Sequence, residues 1–117
     1  MPATLGVVND EPPSMNERSF ELRRDPDACT GGRWTIIGWD FDDINFSVPL
    51  GTTETWKFVN ASGLSHPMHI HLVMFRVLDR QPFVLINGVP SPTGPPVPVT
   101  GAELAYKDTV RVDPNEI

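Results

Sequence analysis

Turn-forming residues set the first limit on this fold. Proline occurs 13 times and glycine 9 times among 117 residues. Proline removes a backbone donor and breaks helices, and both residues favour turns, so many short strands are favoured over long helices. The patterning between the turns agrees. Residues 18–23, RSFELR, alternate apolar and polar as a half-buried strand does. In residues 54–60, ETWKFVN, Trp56 and Phe58 share one face while Thr55, Lys57 and Val59 share the other. Residues 33–38, 44–48 and 106–112 are further strand candidates, and residues 4–8 are one more. Residues 82–88 read as a short strand and turn, and residues 25–32 and 49–51 as turns. No internal repeat and no helix stands out. The expectation is a single all-β domain, an antiparallel sandwich or barrel.

Two long stretches need separate treatment. Residues 66–79, running from the histidines through LVMFRVLD, read as one strand. His69, His71, Val73, Phe75 and Val77 fall on one face, and both faces are mostly apolar, which predicts cover on both sides. Residues 89–101, VPSPTGPPVPVTG, invite a polyproline-ligand reading. The run holds no Lys or Arg to orient such docking, which favours an extended surface loop between two strands.

Charge removes some partners. The formal net charge is −6, against nucleic acid and anionic membrane surfaces, which recruit clustered Lys and Arg. No stretch approaches the roughly 18 to 20 consecutive apolar residues of a membrane span. The first residues lack the basic region of a signal peptide. The one cysteine, Cys29, has no intrachain partner and lies in a turn-rich stretch, where it reads as a small structural residue. Asn60-Ala61-Ser62 has the form of a glycosylation sequon and reads as incidental.

All three histidines, His66, His69 and His71, lie within SHPMHIH. Residues two apart on a strand face the same way, roughly 6.6 to 6.8 Å apart at Cα. His69 and His71 therefore form a same-face pair, able to converge on one ion or serve two neighbouring ions. His66 lies at odd spacing, across Pro67, and is directed to a different centre. No acid occurs between Asn60 and Leu78. That weakens a two-His-one-carboxylate iron site, a hydrolytic zinc site and a cupin, and leaves Cu, Zn, Fe or Ni as imidazole-favouring metals.

HPMHIH matches the His-Pro-x-His-x-His motif of the C-terminal cupredoxin domain of multicopper oxidases. The surrounding LGTTETWKFVNASGLSHPMHIHLVMFRVLDRQPF, residues 50–83, resembles the bacterial laccase, spore-coat laccase, phenoxazinone synthase and bilirubin oxidase branch throughout. YKDTVRV resembles it too, with Tyr106 where that branch usually has Trp. The resemblance implies a cupredoxin-like (plastocyanin-like) Greek-key β-sandwich, incomplete at its C-terminal end. Residues 1–117 would be a single partial domain, with a recognisable core at 33–112 and an N-terminal segment at 1–32. By resemblance His66 is a type 1 copper ligand, His69 a type 2 ligand and His71 a type 3 ligand. The implied reaction couples one-electron oxidation of a phenol-like or metal substrate to reduction of O₂ to water. Copper ions, O₂, a reducing substrate and N-terminal cupredoxin domains are the implied partners. Secreted, cell-envelope and spore-coat locations occur in the family.

The family completes its site with a His-Cys-His motif, which this sequence does not contain. Cys29 precedes the histidines and does not match it. The expectation is a copper-binding domain that lacks laccase activity alone, without the intense blue thiolate-to-copper absorption. Such a partial sandwich is also expected to expose a sheet edge and part of its core. The competing expectations are a non-catalytic metal-binding or interaction β-module that keeps the His-x-His strand, and a structural β-domain with incidental histidines.

Overall fold

The computed structural model describes residues 14–25, 33–36 and 46–117. Cys29, the candidate strand at 4–8 and most of the turn at 25–32 lie outside the described residues. The described chain forms nine strands: β1 (Asn16–Asp25), β2 (Arg33–Ile36), β3 (Glu54–Asn60), β4 (His66–His69), β5 (Asp79–Arg80), β6 (Phe83–Ile86), β7 (Val89–Pro92), β8 (Val97–Pro98) and β9 (Thr109–Val112). The one helical element among the described residues is a single 3-10 turn, Gly101–Leu104. No helix among them is long and apolar enough to cross a membrane. The all-β class expected from the turn-formers is the class observed.

A three-stranded sheet has the order β2-β1-β3. β2 pairs antiparallel with β1, but β1 and β3 run parallel, with Phe20 beside Phe58. An antiparallel layout throughout was expected, and this pair corrects it. Parallel neighbours cannot be joined by a tight hairpin, and here β2 lies between β1 and β3 along the chain. The alternation in β1 buries Phe20 and Leu22, and β3 adds Val59. Phe20 stands 5.1 to 5.5 Å, ring centre to ring centre, from Phe46, Trp56 and Phe58. Burying one such phenylalanine stabilises the fold by about 1.5–3 kcal/mol. The segment at Phe46 to Val48, expected as part of a strand, packs through Phe46 without joining a sheet.

The other strands form two-stranded pairs: β4 with β9, β5 with β8, and β6 with β7. Phe83, Val99 and Val112 are the buried apolar residues of this part. β6 and β7 form a hairpin through Asn87 and Gly88, both at positive φ (51° and 78°). That is the backbone a two-residue primed turn demands and the reason Asn-Gly is favoured there. The proline-rich run is therefore not all loop, since β7 and β8 lie within it. Pro90 and Pro92 sit two apart, so their missing donors both face away from β6, while Val89 and Ser91 serve the ladder.

Residues 66–79 depart most from expectation. The β4–β9 ladder ends at His69 opposite Thr109. Ile70 N–H then donates to the Asp108 carbonyl (3.0 Å), and Phe75 exchanges two hydrogen bonds of 2.8 Å with Lys107. Asp108 and Lys107 are adjacent, but Ile70 and Phe75 are not. Residues 71–74 therefore leave the ladder as an extended bulge. Leu72, with φ of 70°, turns the chain within it. Cover on both faces, expected for a continuous strand, does not hold: Leu72 is fully exposed, and Val73 and Met74 are 58% and 62% exposed.

The last residues are bound into this framework. Asn115 and Glu116 exchange backbone hydrogen bonds with Asn60 (3.0 Å each), and Ile117 does so with Gln81 (2.9 Å each). Arg80 joins β5 to the 3-10 turn through Glu103 (2.6 Å) and to the chain end through Glu116.

Candidate metal centre

The histidines occupy two faces of β4. Along His66–His69 the residues alternate between half-buried and exposed: His66 and Met68 turn inward, Pro67 and His69 outward. Beyond the strand, the bulge brings His71 back toward His69, with ring centres 4.8 Å apart. The two rings lie together as the spacing argument expects, but a departure from the strand brings them there. They share an open depression of about 400 Å³ with Leu72, Met74 and Asp108.

Each of the two strand histidines has one ring nitrogen bound by the protein. His69 Nδ1 lies 2.9 Å from the Asp108 carbonyl oxygen and 2.9 Å from Thr109 Oγ1. A carbonyl accepts and never donates. His69 Nδ1 must therefore carry a proton, and in the neutral imidazole the lone pair is then on Nε2. Imidazole fixed in this manner is the usual form of a metal ligand.

His66 is held by the opposite nitrogen. Its Nε2 lies 2.8 Å from Ser62 Oγ, and the ring packs edge-on with Trp34 at 5.1 Å. Ser62 in turn contacts Asn60, which is completely buried. Asn60 Nδ2 donates to the carbonyls of Leu64 (2.7 Å) and Val112 (3.0 Å). Its Oδ1 accepts from the Ser62 N–H (3.1 Å) and the Ser62 hydroxyl (2.6 Å). A side chain so enclosed is inaccessible to a glycosylating enzyme, which disposes of the sequon.

Sequence reasoning singled out the three histidines and missed their partners. Thr109 and Asp108 lie within YKDTVRV, where spacing along the strand gives them no role. Asn60 and Ser62 were visible only as a sequon. Both sets depend on contacts that cross from one strand or loop to another, and a spacing rule along one strand does not report them. Among the described residues, no group of three or more His, Cys, Asp or Glu is placed to hold a metal ion. The imidazoles suit copper in donor type, with two at one face and one at the other.

The sequence profile of multicopper oxidases matches residues 9–117. The chain is 41% identical over 80 residues to a laccase of Bacillus subtilis, an alignment covering 65% of this chain and 16% of that protein. It is 48% identical over 84 residues to a laccase of Haloferax volcanii, covering 70% of this chain and 13% of the relative. A bilirubin oxidase of Albifimbria verrucaria is 42% identical over 86 residues, covering 68% of this chain and 14% of the relative. The chain thus spans about a sixth or less of the length of these relatives. The strand-rich, nearly helix-free structure is that of an all-β, cupredoxin-like domain. With the profile matched along nearly its whole length, the chain belongs to the multicopper oxidase family.

Proposed function

We propose that this chain supplies copper ligands to a multicopper oxidase: His66 to a type 1 centre, His69 to a type 2 centre and His71 to a type 3 centre. The observation that carries this reading is the division of the histidines. His66 is bound by the protein through Nε2 on the inner face of β4. His69 is bound through Nδ1 on the outer face, with His71 beside it. A type 1 centre on one side of β4 and neighbouring type 2 and type 3 centres on the other need this arrangement.

Copper, when bound, supplies the redox chemistry that couples one-electron oxidation of a phenol-like or metal substrate to reduction of O₂ to water. The residues of this chain provide position. β4 separates the two ligand directions, the Asp108 carbonyl aims His69, and the bulge folds His71 back onto it. One imidazole per centre does not saturate a copper ion, and the sequence places no cysteine beside His66. The chain alone is therefore inactive as an oxidase.

Cu(II) titration of the full chain, followed by electron paramagnetic resonance, tests the reading. Wild type is expected to show nitrogen coupling, and His69→Ala and His71→Ala are each expected to weaken binding at least about 10-fold. Equal affinity in all three proteins would overturn the ligand assignment. A blue thiolate band, or turnover of a phenolic dye by this chain alone, would overturn the claim of inactivity.

A further inference from the structure

The contacts around Asn60 carry an inference about residues that are not themselves ligands. It rests on the copper reading of His66. Asn60 Nδ2 faces two carbonyl oxygens, from Leu64 and Val112. Only the amide nitrogen can donate to them, so the orientation of the amide is fixed and Oδ1 must face Ser62. Oδ1 and Ser62 Oγ are 2.6 Å apart. Two oxygens at that distance need a proton between them, and Oδ1 has none. The single hydroxyl proton of Ser62 is thereby committed to Asn60. The Ser62 oxygen can then act toward His66 only as an acceptor, so His66 Nε2 carries the proton and Nδ1 carries the lone pair.

We propose that Ser62, locked by Asn60, is a positioning residue that holds His66 through Nε2 and makes Nδ1 the nitrogen offered to the metal. Each step is a donor–acceptor constraint, and together they run from a buried amide to a ligand atom. His69 presents the other nitrogen, because a carbonyl has taken its Nδ1. The two centres on β4 are thus addressed by different ring atoms, each selected by a hydrogen bond on the far side of the imidazole. Partners of this kind change metal affinity 10- to 100-fold when removed.

The test uses the full chain labelled with ¹⁵N, and proton–nitrogen correlation spectra of the three imidazoles. In wild type the His66 Nε2 proton is expected to exchange slowly with water. Added Cu(I), a diamagnetic probe, is expected to move the Nδ1 resonance of His66. In Ser62→Ala the Nε2 proton should exchange rapidly and the Cu(I) affinity at His66 should fall about 10- to 100-fold. Ser62→Thr, which keeps the hydroxyl, should restore both. The backbone N–H of residue 62 still reaches Asn60 Oδ1 in either variant, and unchanged backbone amide spectra confirm the fold. Unchanged His69 resonances serve as the internal control. A proton on His66 Nδ1 in wild type, or a Ser62→Ala protein with unaltered exchange and affinity, would overturn the proposal. A serine-dependent Nε2 proton with no Cu(I) response at His66 in wild type would support the hydrogen-bond lock and overturn the copper assignment.

Discussion

The two sides of β4 differ in how they are held. On the inner side, His66 ends a line of contacts that starts at a completely buried amide. The same residue, Asn60, exchanges backbone hydrogen bonds with the chain end. On the outer side, His69 and His71 stand beside a bulge whose apolar side chains, Leu72 to Met74, face outward. One histidine is set by the interior of the chain. The other two are set by one carbonyl and a loop. The inner histidine is preorganised within this polypeptide, and the outer pair leaves an apolar surface beside it uncovered.

Asn60→Ala should break the inner side most severely. It removes the two hydrogen bonds that the buried amide donates to the Leu64 and Val112 carbonyls and frees the Ser62 hydroxyl from its partner. Each such bond contributes about 0.5–1.5 kcal/mol, and with the completely buried amide removed the loss should reach about 3 kcal/mol. His71→Ala, at an exposed site, should change stability by less than about 0.5 kcal/mol. Urea unfolding followed by tryptophan fluorescence compares them, and equal effects would erase the distinction between the two sides.

Acid should divide the molecule along the same line. Arg18 grips both carboxylate oxygens of Glu54 (2.8 and 3.0 Å), and the Trp56 indole donates to it as well (2.8 Å). These contacts, the arginine first, hold the Glu54 carboxyl at about 2, below its ordinary 4.5. Arg80 lowers Glu103, and the Ser65 hydroxyl lowers Asp113. A depressed carboxylate binds its proton more readily in the unfolded chain. Its stabilisation is complete above the unfolded value and is lost as pH falls from about 4.5 to about 2. The β2-β1-β3 sheet should loosen through that window, and Glu54→Gln should flatten the pH dependence of its unfolding. The bulge at 71–74 carries no carboxylate to add to that slope.

The sequence was most legible where neighbours along the chain decide the structure. The alternation in ETWKFVN marked β3 at its observed bounds, Glu54–Asn60, and the parity of β4 separated His66 from His69. It was least legible where a distant strand decides. The bulge at 71–74 arises because Ile70 and Phe75 pair with adjacent residues of another segment. Nothing in HLVM announces that, since its composition fits a continuous buried strand equally well. The proline-rich run hid β7 for a related reason. A proline is compatible with a strand if its nitrogen faces away from the partner, and the partner is not visible in the run itself.

Leu72→Gly probes the strain of the outer side. A bulky residue at a φ of 70° pays about 1–2 kcal/mol for the left-handed backbone, and the fully exposed side chain returns little by packing. Glycine adopts this backbone freely. The substitution should stabilise the chain by about 1 kcal/mol while keeping the ring contact of His69 and His71. Destabilisation of that size would mean that Leu72 packs in solution and that the outer side is less open than described.

The smallest expected effect sharpens the comparison most finely. Thr109 Oγ1 is one of two acceptors at His69 Nδ1, and the Asp108 carbonyl is the other. Thr109→Val removes the hydroxyl at nearly constant volume and leaves the carbonyl in place. His69 should keep its Nδ1 proton and its exposed Nε2, with a stability loss below about 1 kcal/mol, the net worth of one exposed hydrogen bond. Copper affinity at His69 should fall much less than the loss expected at His66 in Ser62→Ala. The reason is the kind of atom each histidine relies on. A backbone carbonyl within a strand pairing survives any side-chain substitution that leaves the strand intact, whereas a serine hydroxyl does not. An equal or greater loss in Thr109→Val would show that the hydroxyl, rather than the carbonyl, orients His69. The outer histidine would then depend on a side chain just as the inner one does.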